Sequence, residues 1–287
     1  MPAESPEFQA RIARLFVYPV KSCAGVERSE AVLTATGLDL DRAWMVVDAQ
    51  GQGVTQRELP RLALVRPQLK LDEVVLRAPG MLALHLAVDA VEAPVRVRVW
   101  DDEVAAYDMG DVAAQWFSDF LGRQLRLVRF DPDHRRLSDA RWTGGVEAPN
   151  QFSDGYPVLV LGEASLAGLN ERLAAAGHVP VGIERFRPNL VLAGIEAHDE
   201  DRVDVLTIGA DQSVRLKLVK PSPRCPIPNI DPATAESGPA VGDALQAYRP
   251  DARLNGAISF GMNAIVLDGE DQLLRVGQPA AASWVFG

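Results

Sequence analysis

A cysteine fenced by prolines is the residue of this 287-residue chain best suited to chemistry. Cys225 directly follows Arg224, and four of the residues from 221 to 228 are proline. Proline gives no amide hydrogen to a strand ladder and fixes its own φ. A strand ending near Val219 is therefore expected to stop, leaving Cys225 in a rigid segment off the ladder. The adjacent guanidinium favours the thiolate, the form that ligates metals or attacks electrophiles. A buried, inert thiol in a proline-braced loop is the competing reading of the same pattern.

Cations and hydrogen-bonding groups recur in similar turn settings. Lys21 and Ser22 follow Pro19, Asp41 and Arg42 precede an apolar run, Ser153 and Asp154 precede another, and Arg187, Pro188 and Asn189 lead into a third. Any one arginine would ordinarily be a solvated charge or a local ion pair. As a set, these loops suggest convergence on an anion. His85, His134, His178 and His198 lack zinc-ligand spacing, and no glycine-rich nucleotide loop, nucleophile elbow or zinc-protease motif opens a helix. Cys23, beside Lys21 and Ser22, could lie near a cofactor, but packing is its expected role.

The elements that must position these loops are mostly strands. Runs at 12–20, 43–48, 62–69, 82–88 and 95–100 are rich in β-branched residues, and Val95, Val97 and Val99 alternate with Arg96, Arg98 and Trp100. From Asp111 the period changes, with Val112, Trp116, Phe117, Phe120 and Leu121 on one helical face, Asp111 as cap and Gly122 as stop. A strand at 125–130 closes the first unit, and the polar stretch 131–150 reads as a long connection. The second unit begins with a strand at 157–161 and a helix at 163–176 that turns Leu166, Leu169 and Leu173 inward. Strands return at 189–193, 203–208, 214–219, 263–267 and 273–276. The expected fold is mainly β with α additions (α+β): a β-barrel-like domain at 8–130 packed on a second β-rich barrel or sandwich at 131–287.

Composition narrows the function classes. A net charge of −10 and 47% apolar residues fit a folded chain without the basic face that nucleic acid or an anionic membrane would need. The first ten residues lack the layout of a signal peptide, and no apolar run is long enough to span a bilayer. A cytoplasmic protein with free thiols is expected.

The motifs Arg14 to Ser22, Asp41 to Trp44, Phe186 to Asn189, and Arg224-Cys225 followed by Asp231-Pro232 resemble the MOSC family with its N-terminal β-barrel domain. Within that family the likeness is to the YcbX-like and mitochondrial amidoxime-reducing branches. It runs from about residue 10 to the end of the chain, with the motifs in the family's order. It implies a molybdenum cofactor (Mo-molybdopterin), independent of pyridoxal phosphate, with Cys225 as the metal's protein ligand. By the same likeness Lys21, Ser22, Arg42, Arg187, Asn189 and Arg224 belong to the pterin- and phosphate-binding loops. Ser153 and Asp154 match a pair that faces the metal, with Asp154 a candidate proton donor. The implied activity is reduction of N-hydroxylated substrates such as amidoximes, hydroxylamines and N-hydroxylated bases. Two features depart from the pattern. Ala233-Thr234-Ala235 follows Pro232 where a Thr-Gly is usual, and two cysteines are too few for the four-cysteine cluster of a ferredoxin-like extension. No iron–sulfur cluster is therefore expected, and electrons should come from a separate ferredoxin, flavodoxin or cytochrome. A cofactor or sulfur carrier without turnover, and a barrel that has lost its metal, are the alternatives.

Overall fold

The computed structural model describes residues 8–211 and 213–284. The polar stretch 1–7, part of the reading that no leader peptide is present, lies outside them.

Seven strands close into a barrel. In order around it they are Leu190–Ala193, Val158–Gly162, Ser259–Asp268, Val214–Pro223, Val203–Ile208, Pro279–Trp284 and Phe8–Val17, which pairs back onto Leu190–Ala193. All pairings are antiparallel except Val158–Gly162 with Leu190–Ala193. A parallel pair needs a long crossover, and the helix Glu163–Ala175 lies within that connection. Val160, Leu190, Ile12, Leu15 and Val17 fill the barrel. Leu161, Val191 and Phe16, one step out of phase, pack against helices Glu163–Ala175 and Ala240–Tyr248. Burial on both faces explains why these strands read as continuous apolar runs rather than as alternation.

Strand pairings cross a simple division of the chain at residue 130. Six barrel strands lie between 158 and 284, but the seventh is Phe8–Val17. Leu273–Arg275 likewise pairs with Glu30–Thr34. The N-terminal segment thus crosses into the second unit before the first begins.

The first unit pairs Trp44–Asp48, Leu125–Phe130, Asp102–Asp108 and Pro94–Val99 in one sheet and Arg66–Leu69, Glu73–Arg77 and Leu84–Ala87 in another. Helix Gly110–Leu121 drives Trp116, Phe117 and Phe120 into the core among Trp44, Leu62 and Leu76. Gly122 ends it with φ 69°, as expected of a glycine stop. The cap differs from expectation: Met109 holds that position, Asp108 accepts from the Gly110 amide at 2.7 Å, and Asp111 pairs with Arg126 at 3.0 Å. Val112, expected on the buried face, is 77% exposed. The run 62–69 also splits, because Pro60 opens a 3-10 turn over Pro60–Leu64 and only Arg66–Leu69 is strand.

The connection 131–150 holds one short helix, Ala140–Thr143, and a buried anchor, Arg136. The strand at 214 does not stop at Val219. Register shifts at Leu218/Lys220 and Pro221/Pro223 let the prolines sit at irregular points, so the ladder runs to Pro223 and Cys225 lies two residues beyond. Among the described residues no helix is long and apolar enough to cross a membrane.

Two substitutions test the strand swap and the helix face. Leu15 is fully buried in the barrel, so Leu15→Ala should lower unfolding free energy by about 2–5 kcal/mol. Val112→Ala should stay within about 0.5 kcal/mol of wild type in the same denaturant titration. A small effect at Leu15 would remove the N-terminal strand from the barrel.

Candidate functional site

The loops leaving Phe8–Val17, the turn before Trp44–Asp48, the segment before Val158–Gly162 and the end of Val214–Pro223 meet at a cleft of about 460 Å³. All nine residues singled out from the sequence line it: Cys225, Asp154 and Ser153, Lys21 and Ser22, Arg42, Arg187 and Asn189, and Arg224. The structure therefore brings the set together. It also divides it into side chains that build the cleft and side chains that face into it.

Arg42, Asn189 and Arg224 are builders. Asp41 accepts from the Tyr18 amide at 2.7 Å and from the Arg42 guanidinium, which reaches Asn189 Oδ1 and the Arg187 carbonyl, each at 3.1 Å. Asn189 Oδ1 also accepts from the Leu159 amide, and its Nδ2 donates to the Phe16 carbonyl at 3.2 Å. Arg224 gives its guanidinium to the carbonyls of Phe186 and Phe260, and burial lowers its pKa to about 10. Its hydrogen bonds serve the main chain, and it also lines the cleft. It clamps the strand end that presents Cys225.

Cys225 is a partly exposed free thiol, whereas Cys23 is fully buried and desolvation pushes its thiol up to about 12. Of the two cysteines only Cys225 is exposed to a ligand in the cleft. Arg187 donates through Nη1 to the Cys23 carbonyl at 2.6 Å, while its buried Nη2 has no partner among the described residues. Desolvation, then the Arg42 charge, lower the pKa of Arg187, a sign of cationic crowding. Both guanidiniums lie 4.4 Å from the Tyr18 ring centroid.

The Ser153–Asp154 turn is held from below. Arg136 donates to Asn150 Oδ1 at 2.6 Å and to the carbonyls of Gln151 and Ser153 at 2.8 Å, and Ser153 Oγ donates to Asn150 Oδ1 at 2.9 Å. Asp154 is thereby presented into the cleft with its side chain 68% exposed. It accepts from Lys21 Nζ at 2.5 Å, and Lys21 is also bonded to the Phe152 carbonyl. The crowded cleft acts to raise the Asp154 pKa. Lys21, then Arg57 and Arg42, outweigh it and hold the carboxyl far below the usual carboxylate range. A carboxylate paired with a lysine in this way is placed to accept hydrogen bonds from a group entering the cleft.

Arg57, Trp100, Tyr156, Arg185 and Lys220 also line the cleft and were not singled out. Lys220 directly precedes the proline-rich stretch that begins at Pro221. Its Nζ sits 5.4 Å from the Trp142 ring centroid and 5.6 Å from that of Tyr156. Trp100 was read as the end of a strand, but it occupies the following turn at φ 57°. Ser22, Arg42 and Arg187 share this left-handed conformation. It is uncommon outside glycine, costs about 1–3 kcal/mol each, and concentrates at functional sites.

These side chains fit a molybdenum cofactor. The partnerless Arg187 Nη2 and the cations Lys21, Arg57 and Lys220 suit a phosphate dianion, and Cys225 offers one soft donor. Among the described residues no three His, Cys, Asp or Glu side chains gather into a metal-ligating group. A metal bound here would draw most of its ligands from the cofactor itself.

Comparison with known proteins places the chain. The MOSC N-terminal beta barrel domain matches residues 9–124 and the MOSC domain residues 147–281. Mitochondrial amidoxime-reducing component 1 of Homo sapiens is 39% identical over 249 residues, 83% of this chain and 72% of that protein. Mitochondrial amidoxime reducing component 2 of Bos taurus is 37% identical over 232 residues, 78% of this chain and 67% of its own. The molybdenum cofactor sulfurase of Bos taurus is 29% identical over 259 residues, 83% of this chain but 29% of that protein. With both domain matches in order and identities of this size over most of its length, the chain belongs to the MOSC family, with the mitochondrial amidoxime-reducing components among its relatives.

Proposed function

We infer that the chain is a molybdenum-cofactor-dependent reductase of N-hydroxylated compounds. One observation carries the reading: a single accessible thiol, Cys225, is presented into a cation-lined cleft in a relative of the amidoxime-reducing components. The overall change for an amidoxime is cleavage of the N–O bond with two electrons and two protons, giving an amidine and water. When bound, the cofactor supplies the two-electron redox centre. The protein's part is to hold it and to orient the substrate. Cys225 offers the thiolate ligand, Arg187 Nη2 and the neighbouring lysines meet the anionic tail, and Arg224 and Asn189 keep the loops in place. Asp154, held ionised by Lys21, is suited to accept a hydrogen bond from an N–OH group and so fix its direction.

Electrons must enter from outside these 287 residues. Two cysteines cannot supply a tetracysteinyl cluster, and no nucleotide or flavin fingerprint is present. A separate small redox protein, docking weakly as electron-transfer partners do, meets the need.

Two outcomes test this reading. In the cofactor-free protein a thiol reagent should modify Cys225 alone, and Cys23 only after unfolding. Cys225→Ala should lower molybdenum content, read by elemental analysis, and benzamidoxime reduction by roughly 100-fold or more while the apo-protein melts as wild type does. Loss of activity with full metal content would remove Cys225 from the ligand set. Retention of cofactor by wild type without turnover would assign a carrier instead.

The electron source gives a separate test. NADH or NADPH alone should not support turnover, whereas reduced methyl viologen, or a redox protein with its reductase, should. Sustained turnover on pyridine nucleotide alone would overturn the external-donor assignment.

A further inference from the structure

Trp100 stands where a hairpin prefers glycine. Strands Pro94–Val99 and Asp102–Asp108 pair Val99 with Asp102, so the connection is two residues, Trp100 and Asp101. Trp100 takes the first central position at φ 57°, a conformation that bulky side chains rarely adopt and that such turns normally give to glycine. The turn cannot relax by shifting, because Arg98 bonds Gly51 and Gly53 through its amide and carbonyl at 2.8 and 2.9 Å. Strain of this kind persists where surrounding structure imposes it, and an observed outlier is a reason to look for function.

The side chain does not account for the strain by packing. It belongs to none of the buried apolar clusters, is 45% exposed, and lines the cleft. Its plane is set by Arg57, whose guanidinium lies 4.6 Å from the ring centroid and is tied to Thr55 Oγ1. Lys21 Nζ is 5.7 Å from the same centroid and 2.5 Å from Asp154 Oδ1. A flat group resting on the indole is therefore one side chain away from the carboxylate that orients the N–OH.

We propose that Trp100, steadied by Arg57, is a specificity-determining plate that stacks the aromatic ring of planar aryl or heteroaryl N-hydroxylated substrates and so selects them over small aliphatic or inorganic ones. This rests on the reductase reading, and it adds to that reading the part of the substrate the chain recognises. Stacking on an exposed indole needs only a π face, so the preference is for flat rings as a class rather than for one ring.

The test compares wild-type holoprotein with W100F and W100G. Calorimetric titration with benzamidoxime, without reductant, reads binding alone. Turnover with reduced methyl viologen reads the ratio of kcat/KM for benzamidoxime to that for hydroxylamine. W100G should weaken benzamidoxime binding and lower the ratio by about tenfold, mostly through KM, while W100F keeps both near wild type. Its melting temperature should equal or exceed that of wild type, because glycine relieves the turn. Unchanged binding and ratio in W100G, no benzamidoxime binding to wild type, or equal losses in W100F and W100G would overturn the assignment. Binding that depends on Trp100 without turnover would uphold the plate and overturn the reductase reading instead.

Discussion

The cleft depends on a buried polar knot around Tyr18. Asp41 holds the Tyr18 amide and Arg42, Arg42 reaches Asn189 and the Arg187 carbonyl, and Asn189 ties Leu159 to Phe16. These bonds join the end of the swapped strand, the entry to the first unit and two neighbouring barrel strands. Removing one member of a buried network is costly, and in this one Tyr18 Oη and Arg187 Nη2 have no partner among the described residues. Losing the Asn189 amide would leave an Arg42 donor and two main-chain groups without partners. The knot therefore fixes where Arg187, Lys21 and Ser22 begin, before any ligand is present.

The knot also explains the backbone. Arg42 and Arg187, at φ 51° and 57°, are the residues whose side chains or carbonyls it holds, and Ser22, at φ 65°, has its carbonyl fixed by Gln56 Nε2. Three loops are bent into left-handed turns at positions whose side chains line the cleft. Glycine would fit the turns and lose the guanidiniums. The barrel, apolar on both faces of its strands, supplies the stability that offsets this local cost.

How much was legible follows from where each signal originates. Cys225, Asp154, Arg42 and the rest of the cleft set were found because short motifs keep chemically distinctive residues together in sequence. The helix Gly110–Leu121 was found because its apolar period is 3.6, though Val112 shows that a periodic residue at the first turn can still face water. Closure of the barrel by Phe8–Val17 was not legible, since an apolar strand does not say which sheet it joins. The run of Lys220 to Pro223 misled for a related reason: proline forbids a regular ladder but not a bulged one. Arg57 and Trp100 gave no motif. Their role arises from a two-residue turn placing an aromatic beside a loop 43 positions away in the chain.

Electrostatics shows why a site for an anion can exist in a chain of net charge −10. The cleft lining holds seven cationic side chains and one carboxylate, Asp154. Arg42, Arg185 and Arg224 are bonded to protein acceptors, and Lys21 is paired with Asp154. Arg187 is left with a partnerless buried nitrogen, next to a second guanidinium on the same tyrosine. Burial and like charge both lower its pKa, so the folded protein is penalised there unless an anion arrives. A bound phosphate would relieve that penalty and add charge-assisted hydrogen bonds. An anion that bound only the folded protein at Arg187 would stabilise it by mass action.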